Sequence, residues 1–220
     1  MYKVLIASAG LGNRLKGITK NINKALVGVN FKPAISHIIE KFPEETEFVI
    51  PVGYKKELVT DFCEIAYPSR NFTFIDVDLY EGKGSGLGYS ILKCKEHLQC
   101  PFIFSSNDTI VSEDIPIPEF NWIGYSKYVD PKIYRSIEIK DDRVSNLFGK
   151  GAETEAYAYI GLSGIYDYEK FWLEMEKGIE SGSIEIGESF GLRALLSQDI
   201  KPIEFTWFDT GNLKKLQETR

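Results

Sequence analysis

Residues Lys3 to Ala7 (KVLIA) form a short apolar run that ends in small residues and glycines, the pattern of a buried parallel strand feeding a loop. Runs of the same kind recur at Glu47 to Val52 (EFVIPV), Phe72 to Val77 (FTFIDV) and Phe102 to Ser105 (FIFS). The stretches between them have helical spacing. Pro33 to Lys41 opens with proline in a first helical turn, Lys55 to Ile65 puts Leu58, Val59 and Phe62 on one side, and Leu87 to Leu98 repeats apolar residues every three or four positions. Strand and helix in alternation predict an α/β fold: a three-layer, Rossmann-like arrangement around a mostly parallel central sheet.

The second half is less regular. Trp122 to Ser126, Ser136 to Ile139 and Tyr157 to Ile165 predict strands, with a charged hairpin at Asp141 and Asp142 between the last two. Tyr168 to Ile179 and Glu188 to Ser197 predict helices, Pro202 to Trp207 a final strand, and Asn212 to Thr219 a final helix. With 220 residues, 43% of them hydrophobic, the chain suits one domain over residues 1–220. Because it stops inside a fresh helix, an excised piece of a longer chain, with a further C-terminal domain in the parent, is an open expectation, as is a homodimer.

No apolar run approaches the roughly 18 residues of a membrane span, and MYKVLIASAG lacks the basic start of a signal peptide, so a cytoplasmic protein without membrane partner is expected. Cys63, Cys94 and Cys100 are odd in number and lack CxxC spacing, which reads as buried thiols, and His37 and His97 fall in helical patterns as packing or surface residues. The net charge of −6 argues against nucleic acid, but its distribution is uneven. The first acid is Glu40, and before it stand Lys3, Arg14, Lys16, Lys20, Lys24 and Lys32. Residues 1–39 thus carry +6 and the remainder −12, a local cationic segment suited to a bound polyanion.

That segment contains the loop Ser8-Ala9-Gly10-Leu11-Gly12-Asn13-Arg14-Leu15. Glycines at the carboxyl end of a first parallel strand let backbone N–H groups approach phosphate oxygens. A dinucleotide fingerprint would need glycine where Leu15 stands, and a P-loop would need a glycine-lysine-hydroxyl ending that is missing. The spaced cations Arg14, Lys16, Lys20 and Lys24 instead suit a triphosphate and its departing pyrophosphate.

Ala9-Gly10-Leu11-Gly12-Asn13-Arg14-Leu15 followed by Lys24-Ala25-Leu26-Val27 resembles the signature of the sugar-phosphate nucleotidyltransferases, of the MobA-like and sugar-1-phosphate type. Asn23 stands where that family usually has proline. The resemblance implies a glycosyltransferase-A-like fold, with Ala9, Gly10, Leu11, Gly12 and Asn13 around the triphosphate and Arg14 and Lys24 as catalytic cations. It further implies that Gly84, Ser85 and Gly86, within Gly82-Lys83-Gly84-Ser85-Gly86-Leu87-Gly88, lie against the base and that Asn107 is among the nucleotide-binding residues. Asp108, just beyond the fourth strand, and Asp209, in Trp207-Phe208-Asp209-Thr210-Gly211, are implied to share one Mg²⁺, so they must converge in space. Lys150, Gly161 and Glu185 fall where the family contacts its acceptor.

These expectations amount to an Mg²⁺-dependent transfer of a nucleoside monophosphate from a nucleoside triphosphate to a sugar phosphate or other small phosphorylated acceptor. The missing hexapeptide-repeat or helical extension favours a pyrimidine triphosphate, and CTP is the choice. Two rivals stay open. Asp76-Val77-Asp78 is a DxD sequence of the kind with which glycosyltransferases hold a metal and a nucleotide sugar, and a non-catalytic nucleotide-binding regulatory domain would keep the fold without turnover.

Overall fold

The computed structural model describes residues 2–127, 131–151 and 156–220. In chain order the elements are β1 (Lys3–Ala7), β2 (Gly28–Val29), β3 (Lys32–Pro33), α1 (Ala34–Ile39), β4 (Glu47–Val52), α2 (Lys56–Ala66), β5 (Asn71–Asp76), α3 (Leu87–Lys93), β6 (Phe102–Ser106) and β7 (Thr109–Val111). They continue with β8 (Asn121–Ser126), β9 (Ser136–Lys140), β10 (Arg143–Phe148), β11 (Tyr157–Ile165), α4 (Tyr168–Lys177), α5 (Ser183–Ile186), α6 (Glu188–Ala194), β12 (Ile200–Glu204), β13 (Trp207–Asp209) and α7 (Leu213–Thr219).

A nine-stranded sheet runs β10-β9-β11-β6-β1-β4-β5, and β8 and β12 branch from β11. β1 pairs in parallel with β4 and β6, and β4 with β5, so the predicted strands stand side by side and their carboxyl ends share one edge. β11 and β10 run against the other strands of this sheet, which leaves it mostly parallel, as the alternation of elements predicts.

The alternation of side chains along each strand builds the three layers. Leu5, Val49, Phe102 and Phe104 point to one face, where they meet Ile91 of α3, Phe171 and Trp172 of α4 and Leu192 of α6. Val4, Ile6, Phe48, Ile50 and Ile103 point to the other, against Ile35, Ile38 and Ile39 of α1 and Val59 and Cys63 of α2. Phe102 stacks on Trp172 with ring centroids 5.4 Å apart, and the buried Trp172 indole donates to the Leu98 carbonyl at 3.0 Å. Cys63 and Cys94 are buried thiols, both pushed up to about 12 chiefly by desolvation, which makes them packing groups. His37 bonds the Val29 carbonyl at 2.9 Å, a packing role as expected.

Several details depart from the sequence reading. The Asp141-Asp142 hairpin joins β9 to β10, a strand not anticipated, because Arg143–Phe148 buries Val144 and Leu147 alone and alternates weakly. The predicted last strand is two: β12 extends the main sheet, while β13 leaves it and pairs with β7. The helix expected over Leu87 to Leu98 ends at Lys93 and tightens into a 3₁₀ turn at Lys95–His97. Among the described residues no helix is long and apolar enough to cross a membrane.

The glycine segment before α3 has a packing role the sequence did not disclose. A Cβ on Gly88 would lie 1.8 Å from the Ser183 carbonyl oxygen, and one on Gly86 would lie 2.3 Å from that of Ile184, so α3 and α5 touch backbone to backbone. Gly88→Ala is therefore expected to cost about 3 kcal/mol or more and to lower the melting temperature by roughly 6 °C or more. Thermal denaturation followed by circular dichroism checks this, and an unchanged melting temperature would contradict the close approach.

Candidate functional site

The carboxyl ends of β1 and β6 open onto two adjoining cavities. The larger, about 430 Å³, is lined by Ala9, Gly10, Gly12, Asn13, Arg14 and Lys24 from the first loop, by Ser85 and Gly86 before α3, and by Ser106, Asn107 and Asp108 after β6. The smaller, about 170 Å³, is lined by Tyr134, Arg135, Lys150, Gly161, Glu188 and Asp209 among others. Arg14, Ser106 and Asp108 belong to both, so the border between the cavities is where a group could pass from one to the other.

The loop after β1 is long and holds no regular strand, yet it is tightly tied. The buried Asn23 donates to the Ser8 carbonyl at 2.9 Å and to the Tyr54 carbonyl at 2.7 Å, and its own side-chain oxygen accepts from the Ala25 N–H at 2.9 Å. Tyr54 returns the contact by donating its hydroxyl to the Thr19 and Lys20 carbonyls at 2.9 and 2.8 Å. Gly12, at φ +69°, lets the loop fold back until a Cβ there would meet Thr19 at 2.9 Å and Lys24 at 3.1 Å. This closure turns Lys24 into the site, while Lys16 and Lys20 stay exposed outside both cavities.

β7 follows Asp108 directly and pairs antiparallel with β13, with Thr109 opposite Asp209. Two carboxylates roughly a hundred positions apart in sequence are thereby brought side by side. A Cβ placed on Gly211 would lie 2.5 Å from Asp108 Oδ2, 2.8 Å from Asp209 Oδ1 and 3.1 Å from Arg14 Nη2, so a side chain at 211 would fill the point where the three meet. Thr210 closes the turn, its N–H donating to the Asp108 carbonyl at 3.0 Å.

The two aspartates have opposite electrostatics. Burial works to raise the Asp108 carboxyl, but Lys24, in direct contact, and Arg14, at 3.3 Å, outweigh it and hold Asp108 below its ordinary value. Asp209 is pushed up, first by burial and then by the charge of Asp108. Hydrogen bonds from the Gly211 N–H at 2.7 Å and the Tyr134 hydroxyl at 2.8 Å pull the other way without prevailing. Burial and Asp209 together raise the Tyr134 hydroxyl, which keeps it a donor. On the wall of the smaller cavity, Lys150 is lowered by desolvation and then by its neighbours Arg14 and Arg135, so three cations face this region.

No family model matches the chain. The bifunctional protein GlmU of Methanococcus vannielii is 31% identical over 223 residues, which cover 94% of this chain and 51% of that protein. The choline-phosphate cytidylyltransferase of Streptococcus pneumoniae is 34% identical over 111 residues, 48% of this chain and 44% of that protein. What the chain is similar to, over part of those proteins' length, is therefore the nucleotidyltransferases. It spans about half the length of the curated relatives it matches. Among solved structures, the CTP:phosphocholine cytidylyltransferase of Streptococcus pneumoniae superposes with a TM-score of 0.81 over 99% of this chain and 96% of that one, at 23% identity, a likeness of fold.

The positions read from the nucleotidyltransferase signature fall mostly where the two cavities are. Leu11 and Gly84 are exceptions: Leu11 is half-buried and Gly84 holds a turn at φ +86°, and neither lines a cavity. Glu185 is the clearest departure, since it is exposed on α5 outside both cavities, while Glu188, three positions on and across the break at Gly187, lines the smaller one. Tyr134, Arg135, Glu188 and Gly211 were not singled out from the sequence. Gly211 carried a signal, as the glycine of the motif read for Asp209, whereas Tyr134 and Arg135 lie in a stretch with no motif at all.

Two outcomes follow. Asn23→Ala, which strips the loop of a buried three-bond clamp, is expected to cost about 2–3 kcal/mol, measured as a shift in the urea midpoint, and an unmoved midpoint would contradict the clamp. For the carboxylates, ¹³C-detected titration should find Asp209 above and Asp108 below the ordinary aspartate value. Ionising Asp209 therefore costs folding free energy as pH rises through its raised pKa, and protonating Asp108 costs it as pH falls through its lowered one. Asp108→Asn removes the like charge and should bring Asp209 down, and an unmoved Asp209 would refute their coupling.

Proposed function

We propose that the chain is a nucleotidyltransferase that moves a nucleoside monophosphate from a nucleoside triphosphate onto a small phosphorylated acceptor and releases pyrophosphate. The observation that carries this reading is the convergence of Asp108 and Asp209 on the border between two cavities, with Arg14 and Lys24 beside them. The larger cavity takes the triphosphate and the smaller one the acceptor. CTP is the triphosphate we favour, supported by the 34% identity to a choline-phosphate cytidylyltransferase over half the chain.

The two carboxylates fit a magnesium ion. Among the described residues no group of three or more His, Cys, Asp or Glu gathers into an all-protein metal site. Two carboxylates suit Mg²⁺, which keeps water and takes phosphate oxygens as its other ligands. The raised Asp209 is what a neighbouring cation would relieve. Asp108 and Asp209 would hold such an ion, which would supply neutralisation of the phosphate charge.

The remaining work belongs to the chain's own groups. The acceptor's phosphate oxygen is already a nucleophile, so no side chain has to form a covalent intermediate. Arg14, largely exposed at the mouth, offsets charge on the departing pyrophosphate, and Lys24 fixes the phosphates from within the loop. Backbone N–H groups of the glycine loop at the carboxyl edge of the sheet complete the anion site. Positioning and charge stabilisation together supply the rate.

The DxD alternative has less support. Asp76 pairs with Lys56 at 2.8 Å and Asp78 with Lys93 at 3.0 Å, and neither lines a cavity. Pyrophosphate release with Mg²⁺, each nucleoside triphosphate and a panel of sugar 1-phosphates and phosphorylated alcohols tests the proposal. Asp108→Asn should lower kcat by about 100-fold or more with the circular dichroism spectrum unchanged, and chelation of Mg²⁺ should stop turnover. Full turnover by that variant would sink the assignment, and triphosphate binding without release under any acceptor would favour the regulatory reading.

A further inference from the structure

The Trp207-Phe208-Asp209 motif contains a tryptophan to which the chemistry above gives no task. On β13, Trp207 and Asp209 stand two positions apart, so their side chains leave the strand on one face, and Phe208, 38% exposed, leaves on the other. Trp207 meets Tyr134 edge to face with ring centroids 4.8 Å apart, and the Tyr134 hydroxyl donates to Asp209 Oδ2 at 2.8 Å. All three residues line the smaller cavity. A triangle closes: the strand sets Trp207 beside Asp209, Trp207 sets the Tyr134 ring, and Tyr134 sets the carboxylate. The segment that carries Tyr134 is tied down on both sides, the Lys132 carbonyl accepting from the Gly151 N–H at 2.9 Å and the Arg135 carbonyl from the Tyr159 N–H at 2.8 Å.

An aspartate needs such support because the torsion that turns its carboxylate is soft and roughly two-fold. Asp209 is 6% exposed, and both of its hydrogen-bond donors are neutral: the Gly211 N–H reaches Oδ1 at 2.7 Å and Tyr134 takes Oδ2. Donors on two different oxygens pin the plane. Oδ1 is the oxygen turned to the meeting point with Asp108, since a Cβ on Gly211 would lie 2.8 Å from it and 2.5 Å from Asp108 Oδ2. Without the Tyr134 bond the carboxylate is held at one oxygen alone. We propose that Tyr134 is a positioning residue for Asp209 as a metal ligand, and that Trp207 acts one step further out by holding the Tyr134 ring. This rests on the reading of Asp108 and Asp209 as the ligands of the ion. Partners that orient a ligand without touching the ion typically alter metal affinity by about 10- to 100-fold. The contribution of Trp207 is its ring, because among the described residues its indole nitrogen has no hydrogen-bond partner.

The test measures Mn²⁺ affinity by electron paramagnetic resonance of the free ion, with the whole chain in excess over a non-hydrolysable CTP analogue. Tyr134→Phe keeps the ring and removes the donor. It should weaken Mn²⁺ binding by about 10- to 100-fold, with the circular dichroism spectrum and the metal-free affinity for the analogue unchanged. Trp207→Leu should weaken it as well and Trp207→Phe less, and the double variant Tyr134→Phe with Trp207→Leu should lose no more than Tyr134→Phe, because both act through one hydrogen bond. In turnover, Tyr134→Phe should lose rate at low Mg²⁺ and regain it at saturating Mg²⁺, a rescue that a defect of folding or of substrate binding would not show. Additive losses in the double variant, or a deficit that excess metal does not relieve, would overturn the proposal. Where Trp207→Leu does not fold, Tyr134→Phe and Trp207→Phe decide. Equal Mn²⁺ affinity in the wild type and Tyr134→Phe sinks the positioning role alone, whereas a wild type that takes up no Mn²⁺ beyond the share of the free nucleotide removes the metal reading and this role with it.

Discussion

Two like charges held next to each other in a partly buried site would drive a fold apart, and the site depends on how this chain tolerates them. The β7–β13 ladder sets Asp209 opposite Thr109, the neighbour of Asp108, so backbone hydrogen bonds enforce the proximity. The charges are then treated unequally. Asp108 has Lys24 and Arg14, and Asp209 has neutral donors, the Gly211 N–H and the Tyr134 hydroxyl. One carboxyl is held ionised and the other lifted, a separation of roles that an added cation would erase. Gly211 completes the device by lacking a side chain where three charged groups come within 3.1 Å of a Cβ position.

The cations reach this point because of a loop that gains its shape from side chains more than from regular structure. Proline would stiffen the chain before Lys24 through its ring. Asn23 does so through three buried hydrogen bonds, which tie the end of the loop to Ser8 at its start and to Tyr54 beyond β4. The ring acts on the unfolded chain by removing conformers, whereas the amide acts on the folded one. The position is therefore rigid, and its rigidity depends on neighbours far along the chain.

On the other side of Asp108 the sheet bends. β11 pairs with β6 through Leu162–Ile165 and with β9 through Tyr157 and Ala158, and its register with β8 shifts between Tyr159 and Ser163, around Gly161 at φ +73°. Tyr159, Ile160 and Gly161, at that shift, line the smaller cavity together with Glu188. The same walls bring Arg135 and Lys150 close to Arg14, so one small volume has a cationic mouth and an acidic floor.

Much of this was readable as letters. The apolar runs at β1, β4, β5 and β6, the glycine loop, the absence of acids before Glu40 and the positions of Asp108 and Asp209 are local patterns, and local patterns reflect periodicity and backbone freedom that each residue carries with it. Glu185 shows where that ends: it stands three positions before Glu188, but Gly187, at φ +79°, breaks the chain between α5 and α6, so the letters do not say which of the two acids faces the cavity. The sequence by itself determined the strand-and-helix rhythm and the chemical groups available for binding phosphate. Tertiary structure alone decided which of those groups meet, because proximity across a hundred residues, the pairing of β7 with β13 and the burial that shifts each carboxyl are properties of the packed chain and not of any segment of it.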